Sequence, residues 1–284
     1  GGGSVKVRHG FAALWAHGEF QSANDGIIRM NVERDSSGNV IGAGKNRTII
    51  EGDVSTRATH GKGRIYLGLS TPESYWLGSY PDKNTFNQPL EQLGSVDLFI
   101  KNGAYWKGFS DGVMHVTIED GASSWTGFNM GDNMHLILKN GATWYNAITK
   151  DQKDLKDNPA DSKVKKLVSD KGIIDMTGAR AFMGSWTGER GKPSSSLTEM
   201  PGTETGNLII GKYSGNGTVI YRHVIEGNAP KVLGGNTTIL SAEEDSVITL
   251  RTDNEGLNTS SDKAADKNLV SETLNALAGK LFYP

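Results

Sequence analysis

The chain has no cysteine, so neither a disulfide framework nor a thiolate site is open to it. That absence fits any compartment, and it is also what a chain threaded unfolded through a pore needs. No run of about 18 apolar residues occurs, so nothing in the sequence can span a bilayer as a helix. Neither sign of charge dominates. With 30 basic against 32 acidic residues the formal net charge is -2, which leaves no electrostatic footprint for nucleic acid and none for a membrane surface. No signal peptide opens the sequence, and Gly1-Gly2-Gly3-Ser4 reads as the start of an excised fragment, a linker over residues 1–4. Proline is scarce, 8 residues against 37 glycines, a balance that suits many short strands and tight turns and excludes a helical bundle or a disordered chain.

What is present is a repeat. Between Ser95 and Asn146 three segments superpose, SVDLFIKNGAYWKGFSDG, VMHVTIEDGASSWTGFNMGDN and MHLILKNGATWYN, with Gly103, Gly121 and Gly141 spaced by 18 and 20 residues and Trp106, Trp125 and Trp144 by 19 and 19. A period that short is one coil of a solenoid. Three, five and seven residues before each glycine stand Ile100, Leu98 and Val96, then Ile118, Val116 and Met114, then Leu138, Leu136 and Met134. That alternation is a strand with one apolar face. The residues between them form outward columns, namely Lys101, Glu119 and Lys139, then Phe99, Thr117 and Ile137, then Asp97, His115 and His135. Asn-Gly and Asp-Gly pairs tolerate the positive φ of a sharp corner. The fold class expected is all-β, a right-handed parallel β-helix (β-solenoid) with loop excursions and a short C-terminal helix. Leucine-rich repeats would need a Leu ladder that is missing, and propeller blades about twice the period.

The helix of coils is expected over residues 5–261. Tyr75-Trp76-Leu77-Gly78 matches Tyr105-Trp106-Lys107-Gly108, and Ser185-Trp186-Thr187-Gly188 copies Ser124-Trp125-Thr126-Gly127. Three stretches read as excursions dispensable for folding, Ser79 to Gly94, Thr149 to Lys171 and Glu189 to Gly206, and the second, dense in Lys and Asp, reads as a solvated loop or a short surface helix. Before Gly178 the strand parity fails, with Asp175 where an apolar residue is expected. Strand-like segments follow at Leu208–Ile210, Thr218–Tyr221, Thr237–Leu240 and Val247–Leu250. Over residues 262–284 Leu269, Val270, Leu274, Leu277, Ala278 and Leu281 fall on one helical face, capped by Asp262 or Asp266, so that a closing helix covers the end of the core.

Gly211-Lys212-Tyr213-Ser214-Gly215-Asn216-Gly217-Thr218-Val219, Leu233-Gly234-Gly235-Asn236-Thr237-Thr238-Ile239 and the closing Leu274-Asn275-Ala276-Leu277-Ala278-Gly279-Lys280-Leu281-Phe282-Tyr283 resemble the passenger domain of bacterial autotransporters. The resemblance covers about a third of the chain. It implies a secreted or cell-surface β-helix, exported by an outer-membrane barrel outside this fragment, acting as an adhesin-type binding module toward a host-surface protein or glycan. A polysaccharide-active β-helix enzyme and a stalk without ligand are the alternatives.

No catalytic residue, cofactor or metal is assigned. Gly108-Phe109-Ser110-Asp111-Gly112 satisfies G-x-S-x-G, but no helix follows it and Asn129 replaces the serine one coil later, so it reads as a corner. Gly42-Ala43-Gly44-Lys45 lacks the full phosphate-loop pattern and reads as a turn. His115 and His135, with Asp97, supply too few convergent ligands for a metal. The candidate binding residues are the outward Phe99, Thr117 and Ile137 and the column Trp106, Trp125 and Trp144. The tryptophans admit two readings, core filling at one corner or an outward platform.

Overall fold

The computed structural model describes residues 1–6, 12–18, 25–56, 62–82, 89–147, 161–180, 182–183, 198–199, 204–227, 229–253 and 267–283. The chain is mostly β, and among the described residues one hydrogen-bonded sheet holds 17 strands, the largest part of it parallel. Two parallel ladders run through that sheet, and each pass of the chain visits the first and then the second. The first ladder takes Gly26–Met30, Gly63–Leu69, Ser95–Ile100, Met114–Ile118 and Met134–Lys139, then the leading parts of Ser162–Asp175 and Leu208–Glu226, and Thr237–Ala242. The second takes Gly3–Lys6, Thr48–Glu51, Tyr75–Leu77, Tyr105–Lys107, Ser124–Gly127 and Thr143–Asn146, then the trailing parts of the same two long strands, and Val247–Thr252. A third line of contact is made by single bridges joining Tyr80, Ser110 and Asn129.

Side-chain alternation sets which face is inside. Val96, Leu98 and Ile100 pair with Met114, Val116 and Ile118, and these with Met134, Leu136 and Leu138, all buried. On the second ladder the residues facing them are Trp76, Trp106, Trp125 and Trp144, each fully buried. Their rings stack nearly parallel, with centroids 4.8, 4.8 and 4.6 Å apart. That distance is the strand spacing itself, so flat aromatic rings in register must meet face to face. Each indole N–H donates to a carbonyl one pass earlier, Trp76 to Gly52, Trp106 to Gly78, Trp125 to Gly108 and Trp144 to Gly127, at 2.9–3.0 Å. The glycines are there because nothing else fits. A Cβ on Gly78, Gly108 or Gly127 would lie under 2 Å from the carbonyl oxygen of Gly52, Gly78 or Gly108 respectively. Ile50 pairs with Trp76 at one end of the stack and Ile174 with Trp144 at the other.

The corners between the ladders use two devices. Asn102-Gly103 and Asn140-Gly141 both take left-handed conformations, with φ of 57 and 86 and of 53 and 82. Asp120-Gly121 does not. There the Asp120 carboxylate accepts from the Asn102 and Ala122 amides and the Ser123 hydroxyl, which ties the corner from outside.

Several expectations need correction. The charged stretch Thr149 to Lys171 is not all excursion: Ser162–Asp175 is a 14-residue strand serving both ladders, with Val164, Leu167 and Ser169 buried and the lysines outward. Residues 149–160 lie outside the described residues. The corner of this pass is Asp170-Lys171, where Lys171 has φ 57 and the register shifts by one, so Asp175 is an outward residue of the second ladder and its parity is normal. Ile174 pairs with Trp144 at the end of the tryptophan column, and 184–190, with Trp186, lie outside the described residues. Of the other excursions, Ser79 and Tyr80 are buried, 83–88 lie outside the described residues, and Thr198–Glu199 pairs antiparallel with Phe182–Met183. Gly42 and Ala43 end the strand Val40–Ala43 of a hairpin with Val32–Arg34 rather than forming a turn. Leu208–Ile210 and Thr218–Tyr221 belong to one strand, Leu208–Glu226, whose end folds back on Ala229–Leu233. Gly3 and Ser4 are already paired, to Thr48 and Ile49.

The closing helix exists as Lys267–Ala278, but it buries a different face. Thr273 and Leu277 are inside, while Val270 and Leu274 are 42% and 59% exposed. Leu281 lies beyond it, in a short strand paired to Thr237. The proposed cap residues, Asp262 and Asp266, lie outside the described residues.

Candidate functional site

Burial of the four tryptophans removes them as a platform, so Trp106, Trp125 and Trp144 are core residues, and their column instead decides what the neighbouring positions present. In a strand the residues on either side of an inward side chain point out. On the second ladder these are Tyr75, Tyr105, Ser124 and Thr143 before the tryptophans, and Leu77, Lys107, Thr126 and Tyr145 after them, in register along the ladder.

From these columns Tyr105, Lys107, Ser124, Thr143 and Tyr145, with the corner residues Gly103, Gly121, Ala122 and Ser123 and with Arg180, line a groove of about 410 Å³. Tyr105 stands at one end, stacked on Tyr75 with centroids 5.4 Å apart and planes 11° from parallel. Tyr75 donates its hydroxyl to Glu51 at 2.7 Å, and burial with that bond pushes its pKa up to about 12. Burial, then the Glu51 charge, raises Tyr105 as well, so both phenols stay neutral near neutral pH. The ammonium of Lys107 lies 5.0 Å from the centre of the Tyr105 ring.

Tyr145 stands at the other end with the Arg180 guanidinium over its ring, 4.2 Å from the centroid. Arg180 is placed by a turn that starts from the second ladder. The Asp175 carboxylate accepts from the Thr177 amide at 2.8 Å and its hydroxyl at 2.6 Å, and that hydroxyl accepts from the Ala179 amide. Gly178, at φ 69, allows the reversal. Between the two ends the floor is small and hydroxylated. Ser123 is fixed there, donating to Asp120 and accepting from the Gly103 amide. Thr126, between Lys107 and Tyr145 in its column, is buried and does not line the groove.

The first ladder presents the other candidate face. Phe99, Thr117 and Ile137 are register partners and half-buried on its outer side, as expected, and Thr117 and Ile137 line a cleft of about 150 Å³ with His115, His135 and Lys166. His115 Nδ1 lies 3.1 Å from the Asp97 carboxylate, and the two imidazoles meet edge to face at 5.0 Å. Partial burial, then the neighbouring His115, Lys165 and Lys166, hold the His135 imidazole below its ordinary value. Among the described residues no group of three or more His, Asp or Glu converges as metal ligands would. Ser110 of the G-x-S-x-G match is fully buried in the bridge between Tyr80 and Asn129, so it is no exposed nucleophile.

Tyr105, Tyr145 and Arg180 were not singled out from sequence. The signal for the tyrosines was there: Tyr105-Trp106-Lys107 and Thr143-Trp144-Tyr145 flank each tryptophan with polar residues, and the glycine two positions after Trp106 leaves the ring only the inner side. Arg180 had none, since its place depends on the Asp175 to Thr177 turn. No protein-family model, curated protein or solved structure matches the chain.

Proposed function

We propose that this chain is a right-handed parallel β-helix acting as a binding module, the adhesin-type passenger fragment of a bacterial autotransporter, carried to the cell surface by a barrel outside it, with a glycan or host-surface protein as ligand. The observation that carries the reading is the groove from Tyr105 to Tyr145. Its composition, tyrosines at the ends, serine, threonine and glycine between them and two cations at the rim, is that of surfaces built for recognition. Rigid phenols give contact area at little entropic cost, and small hydroxylated residues give adaptable hydrogen bonds. The regular recurrence of the two ladders supports the coil, since it holds these side chains on strands rather than loops.

In this reading the chain binds and performs no chemistry of its own. The test is a screen of the whole chain against a glycan array and against extracted host-surface proteins, repeated with Tyr105→Ala and Tyr145→Ala. Binding lost in both variants, with circular dichroism unchanged, is the expected result. Turnover of a polysaccharide, abolished by replacing one carboxylate, would favour a β-helix enzyme instead. No binding in either screen would favour a stalk.

A further inference from the structure

We propose that the groove between Tyr105 and Tyr145 takes an anionic saccharide, a sugar carrying a carboxylate or a sulfate, with Arg180 as the residue that selects the charge. The inference rests on the binding-module reading above and specifies its ligand.

Lys107 and Tyr145 stand two strand spacings apart in one column, about 10 Å along the ladder. Each end of the groove therefore carries one ring with one cation over or beside it. The acidic groups nearby are turned to other work. Asp120 accepts three hydrogen bonds at its corner, Asp175 holds the Thr177 turn, and Glu51 is engaged by Tyr75 and Lys6. Among the described residues Arg180 has no carboxylate partner, and its guanidinium lies over the Tyr145 face. A guanidinium stacked on a ring keeps its edge donors available, and those donors match the paired oxygens of a carboxylate or sulfate.

The remaining surface fits a sugar better than a simple anion. Tyr105 and Tyr145 offer apolar faces against which the C–H face of a pyranose can lie. Ser124 and Thr143, which line the groove, offer hydroxyl donors and acceptors to ring hydroxyls. An isolated phosphate or acetate would use the cation and leave the floor unpaired. A neutral oligosaccharide would use the floor and leave Arg180 unpaired.

The experiment measures binding of the whole chain by calorimetry to three oligosaccharides of matched length, one with uronic acid residues, one sulfated and one neutral, in the parent and in Arg180→Gln, Arg180→Lys and Tyr145→Phe. The expected result is that at least one charged oligosaccharide binds about tenfold or more tighter than the neutral one. Arg180→Gln should remove that preference and Arg180→Lys restore part of it, while Tyr145→Phe, which keeps the ring, should leave it. Which charged probe binds identifies the source of the charge. Equal binding of neutral and charged probes, insensitive to Arg180→Gln, overturns the inference and leaves the glycan reading standing. Binding of no oligosaccharide, together with capture of a host-surface protein, overturns it while leaving the binding module. Arg180 is exposed, so folding is not at stake in its variants, and circular dichroism verifies this.

Discussion

Single side chains in this molecule are constrained by what lies one pass above or below. Trp125 sits between two other indoles and donates to Gly108, so Trp125→Ala removes both stacking faces and should cost about 3–5 kcal/mol in urea unfolding. Trp125→Phe keeps a ring in the stack but orphans the Gly108 carbonyl, and about 1–3 kcal/mol is expected. Asp53 behaves differently, because its environment disfavours its charge. Burial, against a bond from the Ser79 amide and with the added repulsion of Asp82, raises its pKa from 3.8 to about 6. The fold thus binds the proton more tightly than the unfolded chain. The stability this gives is fully present below 3.8 and is lost as pH rises through about 6. Asp53→Asn, which can still accept from Ser79, should raise stability at pH 7 by on the order of 2 kcal/mol and by almost nothing at pH 4, read from urea midpoints at the two values.

At the scale of strands and corners, Ser162–Asp175 is the most informative piece. It pairs with Met134–Lys139 and Thr143–Asn146 on one side and with Leu208–Glu226 on the other, so the two halves of the sheet meet through it. Replacing residues 149–160 by a short Gly-Ser turn should leave the thermal midpoint nearly unchanged, since loop length costs only about 0.6 kcal/mol per doubling. Extending that deletion to Lys171 should collapse the cooperative transition, and a scanning-calorimetry comparison of the two deletions separates the cases. The same strand shows where sequence stops being legible. In the three passes from Val96 to Tyr145 the inward residues alternate without interruption and each corner carries an Asn-Gly or Asp-Gly pair, so strands, register and outward columns could all be read. Between Val164 and Leu167 the inward parity changes, Lys171 takes the corner without such a pair, and lysines fill the outward positions. Alternation was then masked by charge. The helix was legible in its existence and not in its face, because a period fixes which residues cluster and leaves open which cluster meets the sheet.

Across the whole molecule, the described strands of each parallel ladder pair with those of the passes before and after, and Leu208–Glu226 also pairs with Ala229–Leu233. Local stability in such an arrangement depends on how many well-packed neighbours a pass has, and the passes from Gly63 to Asn146 hold the tryptophan stack and the most continuous pairing. Hydrogen exchange should therefore be slowest at the amides of Val96–Ile100, Met114–Ile118 and Met134–Leu138, and faster at Gly3–Lys6 and Val247–Thr252, which mass spectrometry of peptic fragments can resolve. Equal exchange throughout would mean that opening is global. The four stacked indoles have one more consequence, for light rather than for stability. Parallel chromophores under 5 Å apart share their excitation, so the folded chain should show a coupled signal in the indole absorption band by circular dichroism, with emission shifted to the blue by exclusion of water. Replacing Trp125 by phenylalanine cuts that array in the middle and should weaken the coupled band by more than the loss of a quarter of its members. The centre of this protein thus carries an optical probe of its own assembly, present in the parent chain without any label.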